Sequence, residues 1–338
     1  MDDLIAESAG RLFADWSARA ITALPVEVER GTVSLIPDLW RQVEEQGFPL
    51  SLLTEAEGGF GLPPEDGLRL IDLAAEAGIS LPLGETMMAN WLLARAGLTP
   101  AEGVASFGLT GRRIAWAQAA AHLVLVDERG RLALVRPAEH RVEPHRNILT
   151  EPRDTLHLEA EVEWHPLPFD LRTVEALGAL LRALSMAGSL RKVLKLCLDH
   201  AGQREQFGKP LGKFQVLQHN LAQMASHTAA ANAAARGAAR AFAAFAAGRA
   251  SAQDFTLHAA SAKIRTGEAA GLCAGWAHQL HGAIGYSHEY PLHVWTRRLW
   301  SDRDEWGAEA SWAERLGEYM LAQPDLWPAL TDLGEVVA

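Results

Sequence analysis

Cysteine is nearly absent: the 338-residue chain holds two, Cys197 and Cys273, each in an apolar, helix-like context. A small disulfide scaffold is thereby set aside, and two buried thiols of a reducing, cytoplasmic compartment are the natural reading. Basic charge is in the minority, with 31 Lys and Arg against 42 Asp and Glu for a net charge of -11. A nucleic-acid binder needs a basic face, so that class is set aside too. The chain also lacks the apolar run of about 20 residues that a membrane span requires. Its amino terminus, Met1-Asp2-Asp3, is acidic where a secretory leader is basic. His278, His281 and His288 are joined by no cysteine or paired carboxylate, so they make no metal-ligand set. Gly58-Gly59-Phe60-Gly61 follows no strand pattern and precedes no Lys-Ser/Thr pair, so it reads as a turn between helices and not as a phosphate loop. Internal repeats are missing.

What is present is helix, interrupted once. The pattern predicts a mainly α protein with a small β domain: an N-terminal helical domain over 1–103, a short β domain over 104–166 and a C-terminal helical bundle over 167–338. A chain of this length can bury a substantial core. In the first zone Leu39, Trp40, Val43 and Phe48, then Leu68, Leu70, Ile71, Leu73 and Ala74, lie near helical spacing. In the second, apolar runs at 123–126 and 132–135 flank Asp127-Glu128-Arg129-Gly130-Arg131, a hairpin pattern with glycine in the turn. Residues 155–162 alternate apolar and polar like a half-buried strand. In the third, Leu180, Leu181, Leu184, Leu190, Val193 and Leu194 form a helical stripe. A further helix is expected to start near Phe255. The Ala-rich stretch 229–247 favours helix and close helix approach, with Phe242 and Phe245 as its larger packing groups.

Two clusters carry chemistry. The first runs Arg204-Glu205-Gln206-Phe207-Gly208-Lys209-Pro210-Leu211-Gly212-Lys213-Phe214-Gln215, with Gln218 just beyond. Arg204 offers a permanently charged fork for a phosphate oxygen. Gly208 and Gly212 bracket Pro210, so the backbone turns tightly between two helical stretches. Phe207 and Phe214 are apolar plates, and Gln206, Gln215 and Gln218 are neutral amides able to read a polar ring edge. The combination suits a nucleotide cofactor with a large heterocycle. In the second cluster, Gln279, Gly282, Ala283 and Gly285 put an amide and small residues just past a helix, where backbone can approach a ligand closely. A helix cap followed by a loop fits the same residues.

Arg204-x-Gln206-Phe207-Gly208, followed by Leu211 and Phe214-Gln215, resembles the signature of the flavin-dependent acyl-CoA dehydrogenases. Gln279-x-x-Gly282-Ala283-x-Gly285-Tyr286 is similar to their Gln-x-x-Gly-Gly-x-Gly-Tyr, with Ala283 in place of the second glycine. The resemblance extends to the order of the three zones and so covers essentially the whole chain. It implies FAD as cofactor, an acyl-CoA substrate, and an electron-transfer flavoprotein or similar acceptor. It also implies a homo- or hetero-oligomer, a dimer of dimers, in which both motifs reach across an interface onto the FAD of a neighbouring subunit. Arg204 would then touch the pyrophosphate, and Gln206, Phe207, Leu211 and Phe214 would line the flavin or adenine region. Gln279, Gly282 and Ala283 would contact the adenosine part. The implied reaction removes two hydrogens from an acyl thioester, a glutamate taking the α-proton while the flavin accepts hydride.

The resemblance breaks where the base should stand. Aligning Pro291 and Arg297 with the family pattern places Trp306 at the usual base position, with Gly307 next and Glu305 one residue early. In branches that carry the glutamate in the first helix of the C-terminal domain, the position falls on Gly178, with Glu175 one turn away. The flavin-covering Thr-Glu-Pro-x-x-Gly-Ser-Asp loop has one comparable string, Leu149-Thr150-Glu151-Pro152-Arg153-Asp154. It lies near the end of the β domain, lacks the Gly-Ser, and reads as a chance match. The stretches 296–307 and 81–86 resemble the heterotetrameric bacterial branch that acts on sterol side chains and ring fragments. There one subunit type supplies base and flavin cover, and the other supplies the arginine and glutamine-glycine contacts. The chain is accordingly expected to be the subunit without the base, active only with a partner. Two alternatives stand beside it. One is a self-sufficient homo-oligomeric dehydrogenase using Glu305 as base, although 297–305 mixes charges of both signs and also fits an ion-paired helix. The other is a flavin-free helical scaffold in which both motifs are relics.

Overall fold

Prolines and side-chain caps start the helices where the apolar pattern resumes. The computed structural model describes residues 2–20 and 33–324. Residues 21–32 within the predicted first zone and 325–338 at the end of the third fall outside the described residues. Helix α1 (Asp2–Ala20) precedes α2 (Pro37–Glu45) and α3 (Pro64–Glu76), both with proline in the first turn, and α4 (Leu83–Arg95) follows. Proline suits that position because its missing N–H would have had no partner there.

The β elements between 105 and 166 form two small sheets. Strands β1 (Ala105–Leu109), β3 (His122–Val126), β4 (Arg131–Val135) and β7 (His165–Pro166) form one sheet in the order β1-β3-β4-β7, with β1 parallel to β3. Strands β2 (Ile114–Ala115), β6 (Arg153–Leu158) and β5 (His140–Glu143) form the other. The predicted hairpin is β3–β4: Asp127 accepts from the Arg131 backbone at 2.9 Å, and Gly130 takes φ +71° in the turn. The strand predicted over 155–162 begins earlier, at Arg153, and stops at Leu158. Its start is set by β2, where Ala115 faces Arg153, and its end by β5, whose His140 is opposite Leu158. Thr86 of α4 ties this layer to the helices by donating to the Ala105 carbonyl at 2.7 Å.

The remainder is a bundle. Helix α5 (Leu171–Gln203), capped by Asp170, is buried along most of its length. A short hairpin, β8 (Glu205–Gln206) with β9 (Lys209–Pro210), joins it to α6 (Gln215–Ala246). Helices α7 (Ala252–His281), α8 (Leu292–Asp304) and α9 (Glu309–Leu321) complete the chain. Helix α7 starts before Phe255 because Ser251 and Asp254 form a reciprocal capping box. Ala231, Ala235, Ala238 and Ala241 of α6 are buried at helical spacing, so the alanine stretch is a packing surface. At Gly188 of α5, a Cβ would strike the backbone of α3 at Asp72, which fixes how closely these two helices lie. No helix among the described residues is long and apolar enough to cross a membrane.

Candidate functional site

Helix α5 ends at Arg204, and the chain folds into the β8–β9 hairpin as an arm. Gln206 pairs with Lys209 across the hairpin, and Leu211 N–H donates to the Arg204 carbonyl at 2.8 Å. The two tip residues, Phe207 and Gly208, both have positive φ, +53° and +79°. A two-residue hairpin turn of this kind needs that conformation; glycine accepts it freely, whereas phenylalanine is strained by it. Phe207 is also 90% exposed, an unusual place for a large apolar ring. Arg204 and Gln206 are exposed beside it, and Arg204 has no ion pair among the described residues. Phe214 is half-buried and meets Phe207 edge-on at 6.2 Å, with the Lys209 ammonium 4.3 Å from its ring. Leu211 differs from the others: it is buried, so it anchors the arm to the body of its own chain.

The second motif lies at the end of α7. Gln279, Gly282 and Ala283 are exposed, and Gly282 takes φ +63°, ψ -143° to leave the helix. His281 stacks on His200 of α5 at 4.2 Å, which brings the helix end carrying Arg204 together with the one carrying Gln279. His278 stacks on Tyr286 at 4.0 Å and bonds Thr296 Oγ1 at 2.8 Å. Burial, aided by His281 and His293, holds His278 down at about 4, and burial also lowers His281 and His200. These rings are therefore packed neutral. The stabilising contribution of His278 is present above the ordinary histidine value of 6.5 and is lost as pH falls toward about 4. Melting temperature should accordingly fall across that window, and His278→Phe should flatten the slope. An unchanged slope in that variant would remove His278 as the source.

Past α8 the backbone is strained and tightly held. Trp306 and Gly307 have φ of +57° and +93°. The buried Lys263 ammonium, lowered by burial to about 8, donates to the carbonyls of Arg303 at 2.7 Å and Gly307 at 2.8 Å. Trp312 Nε1 donates to the Trp306 carbonyl at 2.8 Å. So fixed, the Trp306 indole stacks on Phe107 of β1 with centroids 5.0 Å apart. Its other boundary is Gly178 of α5, where an added Cβ would run into the indole. The two positions where the resemblance places a base thus hold a tryptophan and the glycine that makes room for it.

Glu305 enters a buried charge cluster. Its carboxylate accepts from Arg153 Nε at 2.7 Å and lies 2.8 Å from Arg182 Nε, the latter an ion pair without hydrogen-bond alignment. Burial pushes the Glu305 carboxyl up, but Arg153 and Arg182 outweigh it and hold it below the usual value. Arg182 also donates to Glu85 at 2.7 Å and lies 3.7 Å from Asp302. Asp302, raised by burial to about 6, accepts from Ser185 at 2.6 Å. Glu151 pairs with Arg153 at 3.1 Å and Arg298 at 3.4 Å, and these cations overcome burial to hold it at about 2. The Leu149-to-Asp154 string therefore contributes buried charges: Glu151, Arg153 and Asp154 are all buried. The sequence offered one signal of this cluster, an arginine at 182 inside the leucine stripe of α5. Beside it a cavity of about 430 Å³ opens between β1, the β5–β6 connection and the end of α8.

Helical layers around a small β region, with two paired helix-end motifs, define an acyl-CoA dehydrogenase type of fold. Residues 176–317 match the family of the acyl-CoA dehydrogenase C-terminal domain. The chain is 30% identical to acyl-CoA dehydrogenase FadE34 of Mycobacterium tuberculosis over 89% of its own length and 45% of that protein's. It is 31% identical to acyl-CoA dehydrogenase IpdE2 of the same organism over 36% of its own length and 34% of that protein's. The chain thus spans less than half the length of these curated relatives. The ChsE4-ChsE5 complex from Mycobacterium tuberculosis shares the fold, with a TM-score of 0.80 at 18% identity, over 95% of this chain and 98% of that one. Residues 176–317 thus carry the C-terminal domain of the acyl-CoA dehydrogenase family, whose members are FAD-dependent flavoproteins. The exposed Arg204 fork, the Phe207 plate, the Gln279 amide and the side-chain-free Gly282 fit such a nucleotide from one side.

Proposed function

We propose that this chain is a subunit of an FAD-dependent acyl-CoA dehydrogenase that supplies flavin contacts across an interface and leaves the base to a partner subunit. One observation carries the reading: Trp306 rests on Gly178 where a base would stand, and the neighbouring Glu305 is clamped by Arg153 and Arg182. A carboxylate that abstracts an α-proton works best with its pKa raised in a dry pocket. Glu305 is shifted the opposite way, so its role here is that of a counter-ion.

Arg204, Gln206, Phe207 and Phe214, with Gln279, Gly282 and Ala283, would hold the cofactor. Arg204 would bind pyrophosphate oxygens, the aromatic groups would cover apolar ring surface, and Gln206 and Gln279 would orient polar edges. Leu211 keeps the arm in place from inside. FAD, when bound, accepts the hydride released from an acyl-CoA thioester. The exposed Phe207 on its strained tip supports an oligomer in which a neighbouring subunit covers it. A hetero-oligomer, a dimer of dimers acting on sterol-derived acyl-CoA in the cytoplasm, agrees with the stretches 81–86 and 296–307. Electrons would leave to an electron-transfer flavoprotein or similar acceptor.

Purified alone, the chain should show little flavin absorbance and dehydrogenate no acyl-CoA. Co-expressed with a second acyl-CoA dehydrogenase-like chain that carries base and flavin cover, it should purify yellow and active. Full flavin content and turnover by the chain alone would instead favour the homo-oligomer using Glu305. Absence of flavin in every pairing would favour the scaffold.

A further inference from the structure

We infer that the cavity beside Trp306 binds an apolar organic carboxylate that is held as a ligand and not turned over. The inference rests on the reading that this chain supplies no base. The cavity, about 430 Å³, falls within the size range of small-molecule sites. Five arginines and three carboxylates line it. Arg153 and Arg182 are engaged inside the cluster by Glu151, Glu85 and Glu305. The others stand apart. Arg112 and Arg113, on the turn between β1 and β2, are exposed and have no ion pair among the described residues. Arg146 donates to the backbone carbonyls of Val33 at 2.7 Å and Thr150 at 2.5 Å, which leaves its charge without a carboxylate in those bonds. Asp304 is the exposed carboxylate at this edge.

A chain of net charge -11 has acids in excess, so adjacent cations left without them at a cavity mouth point to an external anion. Guanidinium forks match carboxylates in bidentate geometry. The interior specifies the rest of the ligand. Phe107 and Trp306 present stacked rings, and Ile148 remains 53% exposed at the rim. An inorganic anion would leave that apolar wall uncovered, and a neutral hydrocarbon would leave the arginines unmatched. A flat apolar body with one carboxylate uses both.

The test employs the full chain, with naphthalene-2-carboxylate as probe and 2-acetonaphthone as its neutral counterpart, followed by calorimetric titration. Saturable binding of the carboxylate is expected, about tenfold or more tighter than that of the ketone. In Arg112→Gln/Arg113→Gln the carboxylate should weaken by about tenfold or more while the ketone is unaffected. Equal affinity for the two probes, no saturable carboxylate binding, or full affinity in the double variant would each overturn the inference. Acyl-CoA turnover is measured on the same sample to separate the two readings. Failure to bind the carboxylate in an inactive chain removes the cavity ligand and leaves the base assignment standing. Turnover by the chain alone that naphthalene-2-carboxylate inhibits would make the cavity a substrate pocket, and both readings would fall.

Discussion

Arg182→Met is expected to remove about 3–5 kcal/mol of folding stability, the range found when one partner of a buried ion pair is deleted. Arg182 is buried and lies within 4 Å of Glu85, Asp302 and Glu305, so the variant leaves clustered carboxylates without their shared cation. Methionine has similar length and fills irregular space, which confines the loss mainly to charge. The pH dependence gives a second signature. Carboxylates deprived of Arg182 will have folded pKa values raised above their unfolded ones, so the stability of the variant declines as pH rises through those values. Asp302, at about 6 even in the intact cluster, shows the direction. Urea unfolding at pH 5 and pH 8 reads both effects, with the larger deficit at pH 8. A deficit that is absent or equal at both values would mean that the cluster contributes no such electrostatic coupling.

Arg204→Ala should weaken flavin binding by the complex about 10- to 100-fold, the equivalent of losing a hydrogen bond to a charged group worth about 1.5–3 kcal/mol. Arg204 is exposed with no ion pair among the described residues, so the fold has little to lose. The melting temperature of the chain alone should therefore be unaffected. Flavin release from the assembled complex, followed by its fluorescence, measures the loss. Retention of flavin at wild-type affinity would mean that Arg204 does not touch the cofactor. Loss of melting temperature alongside flavin would instead make it a structural residue.

Local chemistry was legible in the sequence to the extent that its parts were adjacent in the chain. Arg204, Gln206 and Phe207 occupy one hairpin, and Gln279, Gly282 and Ala283 one helix end, so each motif is visible as a string. The leucine stripe of α5 and the Asp127-to-Arg131 turn were legible for the same reason, because helix period and turn chemistry are short-range. Strand β6 was displaced because its ends depend on β2 and β5, whose partners the alternation of 155–162 does not reveal. The charge cluster was the least legible part. Its members at 85, 151, 153, 182, 298, 302 and 305 come from all three zones and meet only after folding. Sequence left Glu305 open as either base or ion-pair partner, because Arg153 and Arg182 are 152 and 123 positions away. The contact of Trp306 with Phe107 and Gly178 joins the β region to both ends of the bundle in the same way.

The most direct measurement is the rate at which acyl-CoA bleaches the flavin of the assembled complex when this chain carries Glu305→Gln. The amide keeps the shape and can still accept from Arg153, but it cannot take a proton from substrate. Normalising to bound flavin separates chemistry from any loss of folded protein. If the chain contributes flavin contacts and no base, the rate per flavin remains at the wild-type value. A fall of about 10²- to 10⁴-fold, the usual consequence of removing a general base, would contradict that role and restore Glu305 as the catalytic carboxylate.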